Sequence, residues 1–126
     1  MNVPSHLRYS SDHEWALLEG NRVKVGITDY AQDALGDVVF VELPAVGAAI
    51  EAGAGVGEVE STKSVSDIFA PLAGTVVEVN DALTETPELL NEDPYGDGWI
   101  LVIEIEDSTM VENLLDADAY RSLTED

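Results

Sequence analysis

Over most of this chain apolar side chains return at every second position, the period of a strand, and only around residues 28–35 and in the tail does the spacing lengthen to that of a helix. Glu14 to Glu19 and Arg22 to Ile27 read as two antiparallel strands joined at Gly20-Asn21, a pair able to supply the positive φ of a hairpin turn. Thr28 can cap a short helix, because Ala31, Ala34 and Leu35 recur at helical spacing and Gly36 stands where a left-handed C-terminal residue is wanted. A Val-rich strand from Asp37 to Leu43 stops at Pro44, and Gly47, Gly53, Gly55 and Gly57 punctuate short segments through Val59. The runs Val56 to Glu60 and Val65 to Phe69 flank a polar break, Ser61-Thr62-Lys63-Ser64, which predicts a hairpin tip. Pro71 and Gly74 precede another strand, Thr75 to Val79, and Asn80 to Gly98 reads as a long loop before a last strand, Trp99 to Ile105. In the tail, Thr109 with Glu112 fits a capping box, Val111, Leu114 and Leu115 share a helical face, and Asp116 can cap a second short helix reaching Leu123.

These elements describe a mainly β chain of antiparallel strands with a short helix near residues 28–35 and short C-terminal helices. At 126 residues it is long enough for one core and too short for two ordinary domains. A single domain over 1–126 is expected, with 1–8 as a polar lead-in and the 109–124 helices packed on it. Gly36-Asp37-Val38-Val39-Phe40-Val41 recurs 38 residues later as Gly74-Thr75-Val76-Val77-Glu78-Val79. Two like β units can pack face to face as a flattened barrel or sandwich, although Gly-x-Val-Val-x-Val is also a common way to open a strand. The echo alone leaves both readings open.

Composition narrows the chemistry. The absence of cysteine excludes a disulfide framework, a thiolate nucleophile and an iron–sulfur cluster, so any redox sulfur must be borrowed. With 26 acidic and 5 basic residues the net charge is −21, which repels nucleic-acid phosphates and anionic membrane surfaces. No nucleic-acid or membrane partner is expected. That charge suits either steering toward basic partner surfaces or a salt-rich environment. No run approaches the roughly 20 apolar residues of a membrane span, and Met1 to Tyr9 lacks a signal-peptide core. A bacterial cytoplasmic location is expected, or the mitochondrial matrix for a mature eukaryotic form.

Lysine is scarce, and only Lys24 and Lys63 occur. Lys24 alternates within a strand and reads as its solvent-facing side. Lys63 sits at the hairpin tip with Glu58, Glu60 and Asp67 nearby, and position alone fits an ordinary surface lysine. A modified lysine needs the same place, since a modifying enzyme must reach the amine from several sides and a rigid β scaffold must hold the attachment point.

Tyr9-Ser10-Ser11-Asp12-His13-Glu14-Trp15, then Gly26-Ile27-Thr28-Asp29-Tyr30-Ala31-Gln32 with Leu35-Gly36-Asp37, then Glu60-Ser61-Thr62-Lys63-Ser64 with Asp67, then Pro94-Tyr95-Gly96-Asp97-Gly98-Trp99 together resemble the H protein family of the glycine cleavage system. The resemblance runs in order from about Leu7 to the C-terminal helices. It implies a lipoyl-domain-like flattened β-barrel or sandwich, with lipoate joined by an amide to Lys63. It also implies a monomeric carrier and not an enzyme. The aminomethyl intermediate would pass on lipoyl-Lys63 from a pyridoxal-phosphate-dependent glycine decarboxylase to a tetrahydrofolate-dependent aminomethyltransferase. A dihydrolipoamide dehydrogenase would then reoxidise the arm, which a lipoate ligase or a lipoyl/octanoyl transferase would have attached.

By the same resemblance, Glu14 and Asp67, and more weakly Asp12, line a cleft where the arm docks. An aminomethyl group on sulfur carries a basic amine and is prone to hydrolysis, so a partly water-excluded, acidic cleft suits it. For each acid the plain alternative is a solvated side chain in a chain full of them. No catalytic residue and no metal site are assigned: His6 and His13 read as solvent-facing or hydrogen-bonded structural residues, Gly53-x-Gly55-x-Gly57 lacks the context of a nucleotide loop, and Asp93 and Asp97 read as turn residues. Trp15 and Trp99 read as packing residues. A biotinyl domain would flank its lysine with methionines where Thr62 and Ser64 stand, and the lipoyl module of a 2-oxoacid dehydrogenase would continue into linkers and a catalytic domain. An acid–base enzyme using paired carboxylates and an unmodified interaction domain are the readings from other classes.

Overall fold

A strand with one apolar face can bury it only against a second layer, and here that requirement yields two sheets. The computed structural model describes residues 2–124. Its strands are β1 (Arg8–Tyr9), β2 (Glu14–Glu19), β3 (Arg22–Ile27), β4 (Val38–Glu42), β5 (Ala49–Ile50), β6 (Gly55–Ser61), β7 (Val65–Phe69), β8 (Gly74–Val79) and β9 (Leu101–Glu104). Six form an antiparallel sheet in the order β1-β2-β3-β9-β8-β5, and three form a second in the order β4-β6-β7. The sheets do not close on each other, so of barrel and sandwich it is the sandwich that is built. The helices are α1 (Asp29–Leu35), α2 (Ala82–Glu85), α3 (Leu89–Glu92) and α4 (Ala117–Thr124), with a 3-10 turn at Ser108–Asn113.

Val23, Val25 and Ile103 of the larger sheet meet Val41, Val59 and Ile68 of the smaller one in a single buried cluster. The two copies of the glycine-valine echo open β4 and β8, which lie in different sheets, and Val38, Val41 and Val76 from them share that core. A second cluster gathers Val3, Leu7, Tyr9, Trp15, Ala117 and Tyr120. Alternation along β2 divides the work, since Ala16 joins the first cluster and Trp15 and Leu17 the second. The N-terminal lead-in is therefore less polar in effect than its sequence, because Val3 and Leu7 anchor it; Met1 lies outside the described residues.

The hairpin of β2 and β3 has the expected bounds, with Gly20 at φ 68°. Thr28 caps α1 by accepting the Ala31 N–H at 3.2 Å, and the Gly36 N–H donates to the Gln32 carbonyl at 3.0 Å. Three expectations change. The stretch from Asn80 to Gly98 is not plain loop: α2 and α3 wind one turn each there, burying Leu83 and Leu90 completely, and one turn is too short for helical periodicity to register. Asn80 ties the segment down by donating to the carbonyls of Asp97 at 2.8 Å and Trp99 at 2.7 Å. In the tail the cap is Asp107, whose carboxylate accepts the Thr109 N–H at 3.0 Å, and the turn it starts is 3-10. Leu115 then leaves the predicted helical face to pair with Tyr9. Asp116 caps α4 as expected, accepting the Ala119 N–H at 2.8 Å.

Candidate functional site

The polar break becomes a tight turn between β6 and β7. Ser61 folds it: the hydroxyl oxygen accepts the N–H groups of Lys63 at 3.1 Å and Ser64 at 3.0 Å, while the Ser61 N–H donates to the Ser64 carbonyl at 2.8 Å. The Thr62 N–H donates to the Asp37 carbonyl at 3.0 Å, fastening the tip to the chain that leaves α1. Lys63 is exposed, and among the described residues no carboxylate forms an ion pair with it, so the expected neutralising neighbours stand off. Its stem runs across Gly36, where a Cβ would come within 3.0 Å of Lys63 Cε. What calls for glycine at position 36 is its φ of 83°, since the exposed lysine stem can give way.

Beside this turn a groove of about 300 Å³ opens between β7, α1 and the loop before β2. Ile27, Ala31, Leu35, Val59 and Ile68 form its apolar walls, and Asp12, Glu14 and Asp67 all line it. The three acids named from the sequence are thereby brought to one place, next to Ser64 and the lysine turn. Their surroundings differ sharply. Asp12 and Asp67 are exposed, whereas Glu14 is 2% exposed.

Burial of Glu14 follows from β2 alternation, which turns it inward with Ala16. The Ser10 hydroxyl donates to one carboxylate oxygen at 2.7 Å, and the Phe69 N–H on β7 points at the other from 3.4 Å. Desolvation pushes its pKa up to about 7, with the two hydrogen bonds opposing and the Asp12 charge adding slightly. Such a carboxyl is poised between acid and carboxylate at neutral pH. A cation brought into the groove would favour the charged form.

The loop that presents Glu14, Ser11-Asp12-His13, ends on a non-glycine residue at positive φ, with His13 at 70°. This is the place in a three-residue hairpin loop where glycine is usual. Histidine is held there by its surroundings: Nδ1 lies 2.8 Å from the Tyr120 hydroxyl, and the ring sits 4.7 Å from that of Tyr30. The Tyr120 hydroxyl also meets Thr28 Oγ1 at 2.7 Å, so α4, the α1 cap and the groove loop share one buried link. Burial lowers the pKa of His13, with Asp12 opposing. His13 is a hydrogen-bonded residue, as read from the sequence, and it also lines the groove.

Sequence reasoning missed Ser10 and Tyr30 as parts of the site. Ser10 stands four residues before Glu14, a spacing with no meaning until the loop between them is known. Tyr30 adjoins Ala31 on a helix that the sequence predicts, but its place beside the groove depends on how that helix packs. Elsewhere, Lys24 places its ammonium 5.5 Å from the centre of the Trp99 ring, and Asp93 accepts the Asp97 N–H at 2.9 Å in the tight turn expected of that segment.

The family model described as glycine cleavage H-protein matches residues 7–126. A glycine cleavage system H protein of Thermus thermophilus is 57% identical over 125 residues, covering 99% of this chain and 98% of the relative. The protein of that name from Bacteroides thetaiotaomicron is 51% identical over 123 residues, 98% of each. A probable glycine cleavage system H protein from Haloarcula marismortui is 55% identical over 124 residues, again 98% of each. The crystal structure of a glycine cleavage system H protein from Mycobacterium marinum is similar with a TM-score of 0.84 at 43% identity, covering 95% of this chain and 97% of that one.

Proposed function

The chain belongs to the glycine cleavage H-protein family, and we propose that it works there as a lipoyl carrier whose attachment point is Lys63. The observation that carries the assignment to this lysine is its turn: an exposed amine on a hydrogen-bonded tip, opening onto a groove with apolar walls and a single buried carboxyl. A lipoyl group fits these residues, since its hydrocarbon chain matches the walls and its reacting end can reach acids. When attached, it supplies the sulfurs that take up and release an aminomethyl group.

The chain's own residues do the rest. Ser61 and the Thr62 to Asp37 bond hold the tether's base, while the stem of Lys63 is free to swing past Gly36. Ile27, Ala31, Leu35 and Val59 exclude water along the groove. Glu14 receives a basic amine: its carboxyl ionises more readily as the amine's charge approaches, so docking is selective for a cationic cargo over an uncharged one. Asp12 and Asp67 at the exposed mouth add weaker, salt-screened attraction.

In this reading the chain is a single carrier domain, a monomer, and a shared substrate of the system's enzymes. It meets the glycine decarboxylase, the aminomethyltransferase and the dihydrolipoamide dehydrogenase in turn, after a lipoate ligase or a lipoyl/octanoyl transferase has loaded it. Among the described residues no helix is long and apolar enough to cross a membrane, which is consistent with a cytoplasmic or matrix location. Replacing Lys63 with Arg keeps the charge and removes the acylatable amine. Intact-mass and peptide mapping after treatment with lipoate ligase, ATP and lipoate should place the added mass on Lys63 of the unaltered chain and nowhere on Lys63→Arg, which should also be inactive in a reconstituted glycine-cleavage assay. An active Lys63→Arg chain would refute the reading.

A further inference from the structure

A regular strand exposes every second residue, but β4 exposes two in succession. Its pairing with β6 runs Val38 to Ser61 and then Phe40 to Glu60, so Val39 is the extra residue of a β-bulge. Val39 is 53% exposed and Phe40 47%. The rung continues across the sheet, with Phe40 opposite Glu60 and Glu60 opposite Val65, which is 59% exposed and begins β7 just after the lysine turn. Among the described residues, three of the seven exposed large apolar side chains therefore gather on the outer sheet face beside the tip that carries Lys63. The next outward rung, Glu42, Glu58 and Asp67, is wholly acidic, and Glu60 lies within the patch itself.

The bulge is what makes the patch. Without the inserted residue, alternation would leave one of Val39 and Phe40 facing the core. Bulges recur where a side chain has to be re-aimed, and isolated exposed valines need no explanation, but a bulge that turns one more apolar side chain out into a patch of an aromatic and two valines beside a reactive residue does. Val39 and Phe40 lie outside the groove, so a docked arm leaves them uncovered, while Val65 and Asp67 also line the groove and join the patch to its mouth.

We propose that Val39, Phe40 and Val65 form the docking surface for the enzyme that acylates Lys63, a lipoate ligase presenting an apolar contact rimmed by basic residues. The inference rests on Lys63 being the lipoyl site. Two observations select this partner. Its active site must bring an activated carbonyl into bonding contact with Nζ, so it has to cover the tip and the face next to it; enzymes that act on the far end of the attached arm have no such need. The acidic rung bordering the patch calls for basic complement on the partner. In the step itself the neutral Lys63 amine attacks the carbonyl carbon of a lipoyl adenylate. The amide bond forms, the bond from that carbon to the phosphate oxygen breaks, and AMP and one proton are released.

The test uses the full chain with Val39 and Phe40 both replaced by Thr, two patch residues that do not line the groove, which keeps strand propensity and removes the apolar surface. Val46→Thr, at an equally exposed valine away from the hairpin, is the control. With lipoate ligase, ATP and lipoate, initial rates followed by intact mass should show kcat/KM for the double variant lowered about tenfold or more, the scale of losing a buried aromatic anchor. Val46→Thr should stay within about twofold of the unaltered chain. Both proteins, once fully lipoylated with excess ligase, should support glycine cleavage equally. Ligation of the double variant at the unaltered rate would overturn the proposal, and so would an equal loss in glycine cleavage by the fully loaded variant, which would assign the patch to an arm-processing enzyme. If the unaltered chain gains no mass at Lys63, it is the carrier reading that fails, not the patch.

Discussion

Glu14→Gln isolates the energetic consequence of burying one carboxyl. The folded-state pKa is raised from 4.5 to about 7, and each unit of difference is worth 1.36 kcal/mol. A raised carboxyl means that the folded chain binds its proton more tightly than the unfolded chain does. Stability from this source is complete below pH 4.5, falls as pH rises, and is fully lost above about pH 7, amounting to about 3 kcal/mol. Glutamine cannot ionise and keeps the shape. It can still accept from the Ser10 hydroxyl, but it turns an amide donor toward the Phe69 N–H, a mismatch costing about 1 kcal/mol.

Urea unfolding of both proteins at pH 4.5, 6, 7 and 8, at one fixed salt concentration, should therefore show the variant slightly less stable at pH 4.5 and about 2 kcal/mol more stable at pH 8. Subtracting the two proteins removes the slope that the net charge of −21 contributes to both. A difference that stays flat across this range would refute the burial argument. The same variant should hold a loaded arm less well, because its amide cannot take on charge opposite a cationic amine. Greater stability with shorter lifetime of the loaded arm is the signature of a group kept for function at a structural cost.

Gly26→Ala should lower stability by roughly 2–3 kcal/mol in the same assay, because a Cβ there would meet the indole of Trp15 at 2.6 Å while that indole is fixed by donating to the Pro94 carbonyl at 2.8 Å. Tyr120→Phe removes the hydroxyl shared by Thr28 and His13; a loss of about 1–2 kcal/mol is expected, together with a changed histidine titration by NMR, and an unchanged His13 signal would refute the link. Raising KCl from about 0.1 to 2 M should stabilise the chain by roughly 1–3 kcal/mol, since so few of the described acids are paired; a fall in stability with salt would contradict self-repulsion among the acids as a main destabilising force.

Legibility from sequence follows the length over which a physical signal repeats. The hairpin Glu14–Glu19 and Arg22–Ile27 is readable residue by residue because its alternation runs through six positions and its turn carries a glycine, the residue best suited to positive φ. One-turn helices at Ala82–Glu85 and Leu89–Glu92 repeat nothing, so the segment reads as loop although Leu83 and Leu90 are core residues. Thr109 and Asp107 compete as caps two residues apart, and only the 3-10 winding decides for Asp107. The bulge at Val39 is invisible in the sequence, since Val38-Val39-Phe40-Val41 reads as one continuous apolar strand, and only the partner's register reveals the extra residue.

The acids show the same division more sharply. Among the described residues only two ion pairs form, Arg22 with Glu104 and Arg121 with Asp118, and both are exposed. Most of the acidity is therefore solvated charge that does little to hold the fold, and abundance hides any acid that does more. Glu14 alone of the described acids is buried. What singles it out is a conjunction that composition cannot express: strand alternation turns it inward, a strained histidine closes the loop before it, and β7 from the other sheet points an amide at it. The lysine turn stands out because lysine is rare; the buried carboxyl in the groove next to it is rare only in its surroundings, and those come from both sheets at once.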